Sequence, residues 1–168
     1  MILREIVLKE TPRRRVHLEL EDERPVRVVK RIPAAGLAGL RARRLAKREF
    51  EVQRKLFALG LAVPEPLACT TTAAGVELVQ RCVADARELA DVLRAEDAPG
   101  RERLARDVGA LLGRAHALGL DHPDLHEKNV LVDEAGKPGL IDFPGARTAR
   151  SAGPERARRD LVQLAAAT

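Results

Sequence analysis

His122-Pro123-Asp124-Leu125-His126-Glu127-Lys128-Asn129-Val130-Leu131-Val132-Asp133, with Leu140-Ile141-Asp142-Phe143 shortly after it, is the stretch on which the reading of this chain turns. Two apolar runs, Asn129-Val130-Leu131-Val132 and Gly139-Leu140-Ile141-Asp142, flank the turn-rich Asp133-Glu134-Ala135-Gly136-Lys137-Pro138. That pattern predicts a small antiparallel hairpin. Its open ends come together, so Asn129, entering the first strand, lies near Asp142, leaving the second. An amide oxygen beside a carboxylate makes a hard, oxygen-only site of the kind Mg2+ takes together with nucleotide phosphates. Asp124 sits on the preceding loop facing the same place, where a carboxylate can accept a proton from an attacking hydroxyl.

The block resembles the catalytic and metal-binding loops of the protein kinase-like superfamily, H-x-D-x-x-x-x-N followed by D-F-G. The forms D-L-H-x-x-N-x-L-V-D and I-D-F are more similar to branches that phosphorylate small molecules and glycolipids. Aminoglycoside phosphotransferases are one such branch. Lipopolysaccharide core kinases, acting on heptose or Kdo, are another, and the chain resembles them over nearly its whole length. The resemblance implies ATP and Mg2+ as ligands, Asp124 as catalytic base, and Asn129 and Asp142 as holders of Mg2+. It also implies that His126 stands near the transferred phosphate.

Such a site needs a lysine on an N-terminal strand and a glutamate on the helix that follows. Val26-Arg27-Val28-Val29-Lys30-Arg31-Ile32 resembles the V-A-I-K strand, which makes Lys30 the phosphate-binding candidate. From about Leu37 to Leu59 the apolar periodicity is helical and stops at Gly60. Leu45, Ala46, Phe50, Val52, Leu56 and Phe57 fall on one side, with Arg44, Lys47, Arg48, Glu51, Arg54 and Lys55 opposite. Glu49 breaks the division: it lies amid the apolar side, where an unpaired carboxylate is costly and a cation is demanded. Lys30 is the obvious partner, because the separation suits a strand, a connection and half a helix. A neighbouring arginine answering Glu49 at a groove edge is the alternative.

The remaining sequence predicts an α+β fold: a reduced kinase-like architecture with a small N-terminal antiparallel sheet, one helix and a mainly helical C-terminal lobe. Strands are expected at 2–8, 16–20 and 26–32 in a meander, and at 76–80 after the turn-prone Thr70 to Gly75. Val63 to Leu67 reads as an irregular or extended connection. Helices are expected at Ala86–Leu93, at Arg101–Leu118 and at Pro154–Ala167. Asp160, in the last of these, either braces the catalytic loop, as the resemblance implies, or favours its own helix dipole. At 168 residues the chain admits a single domain, with an N-lobe at about 1–80, a hinge at about 80–84 and a reduced C-lobe at about 85–168. In the hinge the resemblance sets the backbone of Arg81 and Val83 against the adenine edge.

Composition limits the partners. A net charge of +5 suits an anionic ligand or surface. Aromatics are only 2%, without Trp or Tyr, so the stacking platform of a single-strand binder is missing and nucleic acid is not an expected partner. Cys69 and Cys82 have no metal-ligand spacing and read as buried thiols. The charged N-terminus is no signal peptide and no stretch reaches transmembrane length, which predicts a cytoplasmic protein. The basic helix face from Arg41 to Lys55 is either a solvated surface or a peripheral contact with the inner membrane.

Departures from the superfamily pattern narrow the acceptor. Glu10-Thr11-Pro12-Arg13-Arg14-Arg15-Val16 holds no glycine where a phosphate-covering loop would, so backbone cradling is weakened. Its arginines are left to contact phosphates, an anionic substrate or solvent. Asp142-Phe143-Pro144 replaces D-F-G, and the path from Asp142 to Asp160 is too short for a peptide-docking activation segment. A sugar or glycolipid acceptor is therefore expected, with γ-phosphoryl transfer from ATP as the activity. The alternatives are a pseudokinase binding module and a small atypical protein kinase acting in a complex.

Overall fold

Alternating charged and apolar residues at the N-terminus build a meander of β1 (Leu3–Thr11), β2 (Arg14–Glu21) and β3 (Arg24–Pro33) in the computed structural model. It describes residues 3–34 and 36–149, with Glu155, Arg158, Arg159 and Val162. Each strand outruns its expected bounds because the turns are tight, Pro12-Arg13 and Asp22-Glu23. Asp22 and Glu23 take φ of 49° and 64°. Two successive positive φ values give the primed hairpin turn that matches strand twist. With no glycine to mark it, the sequence spread that connection over Glu21 to Pro25.

Helix α1 (Gly36–Ala58) follows, then β4 (Pro66–Thr71) and β5 (Gly75–Arg81), completing a five-stranded sheet in the order β1-β2-β3-β5-β4. The extended connection expected over Val63 to Leu67 continues at Pro66 into β4, which takes in Thr70 and Thr71 from the stretch expected to turn. It is an edge strand, and an edge tolerates the proline at its start. The buried stripe of α1 is Ala46, Glu49, Val52, Gln53 and Leu56, whereas Leu45 and Phe57 are exposed. Glu49 lies on the buried side as expected, and the helix is rotated so that Gln53 joins it there while Leu45 and Phe57 turn outward.

Beyond Arg81 lie β6 (Arg87–Glu88), α2 (Leu89–Ala95), α3 (Ala98–Ala117) and β7 (Leu120–Asp121). A 3-10 turn (Glu127–Asn129), β8 (Val130–Val132), β9 (Pro138–Leu140) and β10 (Arg147–Thr148) complete the described elements. The helix expected from Ala86 starts at Leu89, because Arg87 and Glu88 pair with Val132 and Leu131. The start of α3 moves to Ala98, where Asp97 caps it by accepting from the Gly100 amide at 2.9 Å. Past its end, Gly119 takes φ of 78°, and a Cβ there would lie 1.9 Å from the Ala149 carbonyl oxygen. That close approach seats β10 on β7. Asp160 lies outside the described residues; Glu155, Arg158, Arg159 and Val162 are helical.

The principal core joins Val52 and Leu56 of α1 to Leu112 of α3, Val130, Leu140 and Phe143. A smaller cluster of Ala46, Val76 and Leu78 seats the same helix on the sheet. One helix thus belongs to both cores, and Glu49 is carried at the border between them.

Candidate functional site

Directly paired residues of an antiparallel ladder share a face, and Lys30 pairs with Val16 on one side and Leu78 on the other. Its side chain therefore leaves the sheet on the side of α1, where Glu49 is 6% exposed. Lys30 Nζ donates to Glu49 Oε1 at 2.5 Å and also to Asp142 Oδ1. A single ammonium thus joins the N-terminal pair to the C-terminal block. A second cation reaches Asp142: Arg14 Nη1 stands 3.3 Å from Oδ2 and 3.5 Å from Oδ1. Neither contact to Asp142 had a signal in the sequence beyond the presence of arginines in the β1–β2 turn.

The two carboxylates respond oppositely. Burial pushes the Glu49 carboxyl up, and although Lys30 is hydrogen-bonded to it, that attraction offsets only part of the shift. Asp142 is pushed up by burial too, but the combined pull of Lys30 and Arg14 prevails and holds it below the usual carboxylate value. At neutral pH Asp142 is an anion held by two cations.

The hairpin of β8 and β9 forms with Val130 opposite Leu140. Its open end is tied by the Ile141 amide donating to the Asn129 carbonyl at 2.9 Å. Asp142 then takes φ of 60°, a left-handed conformation that asparagine and aspartate adopt more readily than other non-glycine residues. Phe143 follows into the core, fully buried, its ring 5.4 Å from that of buried His122. Pro144 has a local reason: Phe143-Pro144-Gly145-Ala146 closes with the Ala146 amide donating to the Phe143 carbonyl at 3.1 Å. Gly145 takes φ of 75°, which together with the preceding proline is the signature of a type II turn.

On the preceding loop the buried Asn129 donates through Nδ2 to the Asp124 carbonyl at 2.6 Å. Its amide oxygen, the atom able to ligate a cation, takes no part in that bond. His126 Nδ1 accepts from the Lys128 amide at 3.2 Å and so caps the 3-10 turn, which the Asn129 amide closes by donating to the His126 carbonyl at 2.9 Å. The Asp124 side chain is 69% exposed, and its Oδ2 lies 3.9 Å from His126 Nε2. It is accessible to an incoming hydroxyl.

Lys30, Glu49, Arg81, Val83, Asp124, Asn129 and Asp142, the residues nominated from sequence, all line one cavity of about 520 Å³. Val16 and Val28 give it an apolar wall from the sheet, and Leu131 and Ile141 give one from the hairpin. In the crossing segment the Arg81 amide donates to the Glu65 carbonyl at 2.8 Å and the Cys82 amide to the Val26 carbonyl at 3.0 Å. The Arg81 guanidinium pairs with the Glu65 carboxylate at 2.6 Å. Gln53, not nominated from sequence, donates to the Pro64 carbonyl and to Gln80 Oε1, both at 2.9 Å, fastening α1 to β5. The available signal was a second polar residue one turn beyond Glu49 on the buried stripe.

Residues 37–167 match the Lipopolysaccharide kinase (Kdo/WaaP) family. The match contains Glu49, Asp124, Asn129 and Asp142, and begins after Lys30 and Arg14. The 3-deoxy-D-manno-octulosonic acid kinase of Xanthomonas oryzae pv. oryzae is 36% identical over 127 residues, 69% of this chain and 49% of that protein. The protein of that name from Xanthomonas campestris pv. campestris is 39% identical over 99 residues, 56% of this chain and 39% of its own. For the one from Xylella fastidiosa strain 9a5c the identity is 35% over 99 residues, again 56% of this chain and 39% of the other. The chain spans less than half the length of these curated relatives. Among solved structures, a Stt7 homolog from Micromonas algae, its crystal soaked with ATP, matches with a TM-score of 0.62. At 19% identity, over 86% of this chain and 50% of that one, the likeness shows a protein kinase-like fold.

Proposed function

The chain belongs to the lipopolysaccharide kinase (Kdo/WaaP) family, and on that premise we propose that it transfers the γ-phosphoryl group of ATP to a sugar hydroxyl of lipopolysaccharide core or a related glycolipid. The observation that carries the proposal is Lys30, held between Glu49 and Asp142 in a cavity that Asp124 and Asn129 also line. Relatives named for a sugar acid kinase support a sugar as acceptor. The part up to about residue 80 serves as N-lobe, 80–84 as hinge and 85–168 as C-lobe.

In this mechanism Lys30 is the phosphate ligand and Glu49 its positioning partner, since a buried carboxylate restricts where the ammonium can point. The Asp142 carboxylate and the Asn129 amide oxygen are hard donors that suit Mg2+, which would neutralise charge on the phosphates. Asp124 takes the proton of the acceptor hydroxyl as its oxygen bonds to the γ-phosphorus and the bridging bond to the β-phosphate breaks, leaving ADP. Because the Arg81 amide already donates to the Glu65 carbonyl, Val83 is, of the two nominated hinge residues, the one to offer its amide to the adenine edge. The exposed row of Arg41, Arg44, Lys47 and Arg48 on α1 supports peripheral contact with an anionic glycolipid surface on the cytoplasmic side of the inner membrane. Among the described residues no helix is long and apolar enough to cross a membrane.

ADP release measured with a Kdo-terminated acceptor and Mg-ATP tests the reading. Asp124→Asn is expected to lose turnover while keeping the fold and nucleotide affinity; unchanged turnover removes Asp124 from the mechanism. The Arg14 contact on Asp142 favours one other reading, a noncatalytic nucleotide-binding module. Binding of Mg-ATP without ADP release on any sugar acceptor would support that module.

A further inference from the structure

The tip of the β1–β2 hairpin is built in a way that leaves it little to offer a phosphate through its backbone. Its turn is Pro12-Arg13, so one position has no amide hydrogen at all. One residue past Arg13, the Arg14 amide donates to Thr11 Oγ1 at 3.1 Å, and the same hydroxyl donates to the Arg14 carbonyl at 3.1 Å. These bonds fix the Arg14 backbone and turn its amide onto Thr11. The Arg14 side chain does reach the cavity, where its guanidinium covers both oxygens of Asp142.

The two cations on Asp142 are not equivalent. Lys30 is also bonded to Glu49, which keeps it in place when Asp142 is engaged elsewhere. Arg14 makes its side-chain hydrogen bonds among the described residues to Asp142 alone, from the end of a long flexible chain that is 28% exposed. A divalent cation taking Asp142 would meet a guanidinium already on that carboxylate, and like charges at such separations repel strongly in a partly desolvated site. Bound phosphates would at the same time present the planar, multi-donor guanidinium with a better partner than a carboxylate it must share.

We propose that Arg14 is a movable phosphate ligand: it covers Asp142 in the nucleotide-free protein and passes to the phosphates of a nucleoside triphosphate when a divalent cation takes that carboxylate. This inference rests on the nucleotide-binding reading above. It gives the glycine-free hairpin a job that glycine amides cannot do, shielding the metal-binding carboxylate until nucleotide and cation arrive together.

The test compares the full chain with its Arg14→Gln and Arg13→Gln variants. Calorimetry with Mg-ATP and with adenosine measures nucleotide binding, and electron spin resonance measures binding of Mn2+ alone. Arg14→Gln is expected to weaken Mg-ATP about tenfold or more, the cost of one charge-assisted contact, with adenosine affinity unchanged. Arg13→Gln, which removes the same charge from the same turn, is expected to leave Mg-ATP affinity within about twofold of the parent. Mn2+ alone is expected to bind Arg14→Gln more tightly than the parent, because the carboxylate is uncovered. Equal Mg-ATP affinity in parent and Arg14→Gln, an equal loss for adenosine and Mg-ATP, an equal loss in both variants, or Mn2+ binding no tighter overturns the proposal. A parent chain that binds no nucleotide overturns the nucleotide reading itself, an outcome distinct from a parent that binds and an Arg14→Gln variant that binds as well.

Discussion

Glu49 carries a carboxyl that burial pushes up and that Lys30 only partly brings down, whereas the neighbouring Asp142, with a second cation, ends below its ordinary value. Their contributions to stability therefore run in opposite directions with pH. The unfolded chain releases the Glu49 proton at the ordinary carboxylate value while the folded chain keeps it longer, so stability falls as pH rises through that window. For Asp142 the stabilisation is present above the ordinary value and is lost as pH falls through the lowered one. Glu49→Gln is expected to remove the first loss and keep the second. Urea midpoints from acid to neutral pH decide it, and a parent-like slope on the rising side would contradict the assignment. Lys30→Ala is expected to cost about 3 kcal/mol, since it leaves two part-buried carboxylates beside one another, as well as abolishing ADP release. Glu49 was legible because one carboxylate on an apolar face needs a cation. Arg14 was not, because three successive arginines give no sign of which one turns inward.

At the scale of elements, the hairpin turns and strand ends depart most from expectation. Asp22 and Glu23 hold left-handed backbone without glycine, so the double change Asp22→Asn with Glu23→Gly is expected to stabilise the protein by about 1 kcal/mol. The ion pair lost between Arg4 and Glu23 is highly exposed and contributes little. Thermal unfolding of the double variant checks this. The reverse applies at Gly119, where positive φ and the approach of Ala149 both exclude a side chain; Gly119→Ala is expected to lower stability by about 2 kcal/mol. The long helices α1 and α3 were legible from periodicity and their glycine stops. The two-residue strands β6, β7 and β10 were not, since their pairing is made by distant partners and carries no alternation of its own.

Over the whole molecule, the Lys30–Asp142 and Arg14–Asp142 contacts join the N-terminal sheet to the hairpin far along the chain. A ligand held by both parts should stabilise them together by mass action, about 2.7 kcal/mol at a hundredfold excess over its dissociation constant. Mg-ATP is expected to raise the melting temperature of the parent, less so after chelation of the metal and least in Asp142→Asn. No shift in the parent would contradict nucleotide binding. The sequence by itself determined the catalytic-type block, the hairpin whose open end carries Asn129 and Asp142 to one cavity, the Lys30 strand and the off-pattern Glu49. These depend on local spacing and on the cost of burying a charge, both written along the chain. Only the tertiary structure decided that Lys30 bridges Glu49 to Asp142, that Arg14 shares that carboxylate, and that α1 turns Gln53 inward and Leu45 outward. Those outcomes depend on how a sheet, a helix and a distant hairpin pack in three dimensions, where long side chains choose partners by proximity and by charge.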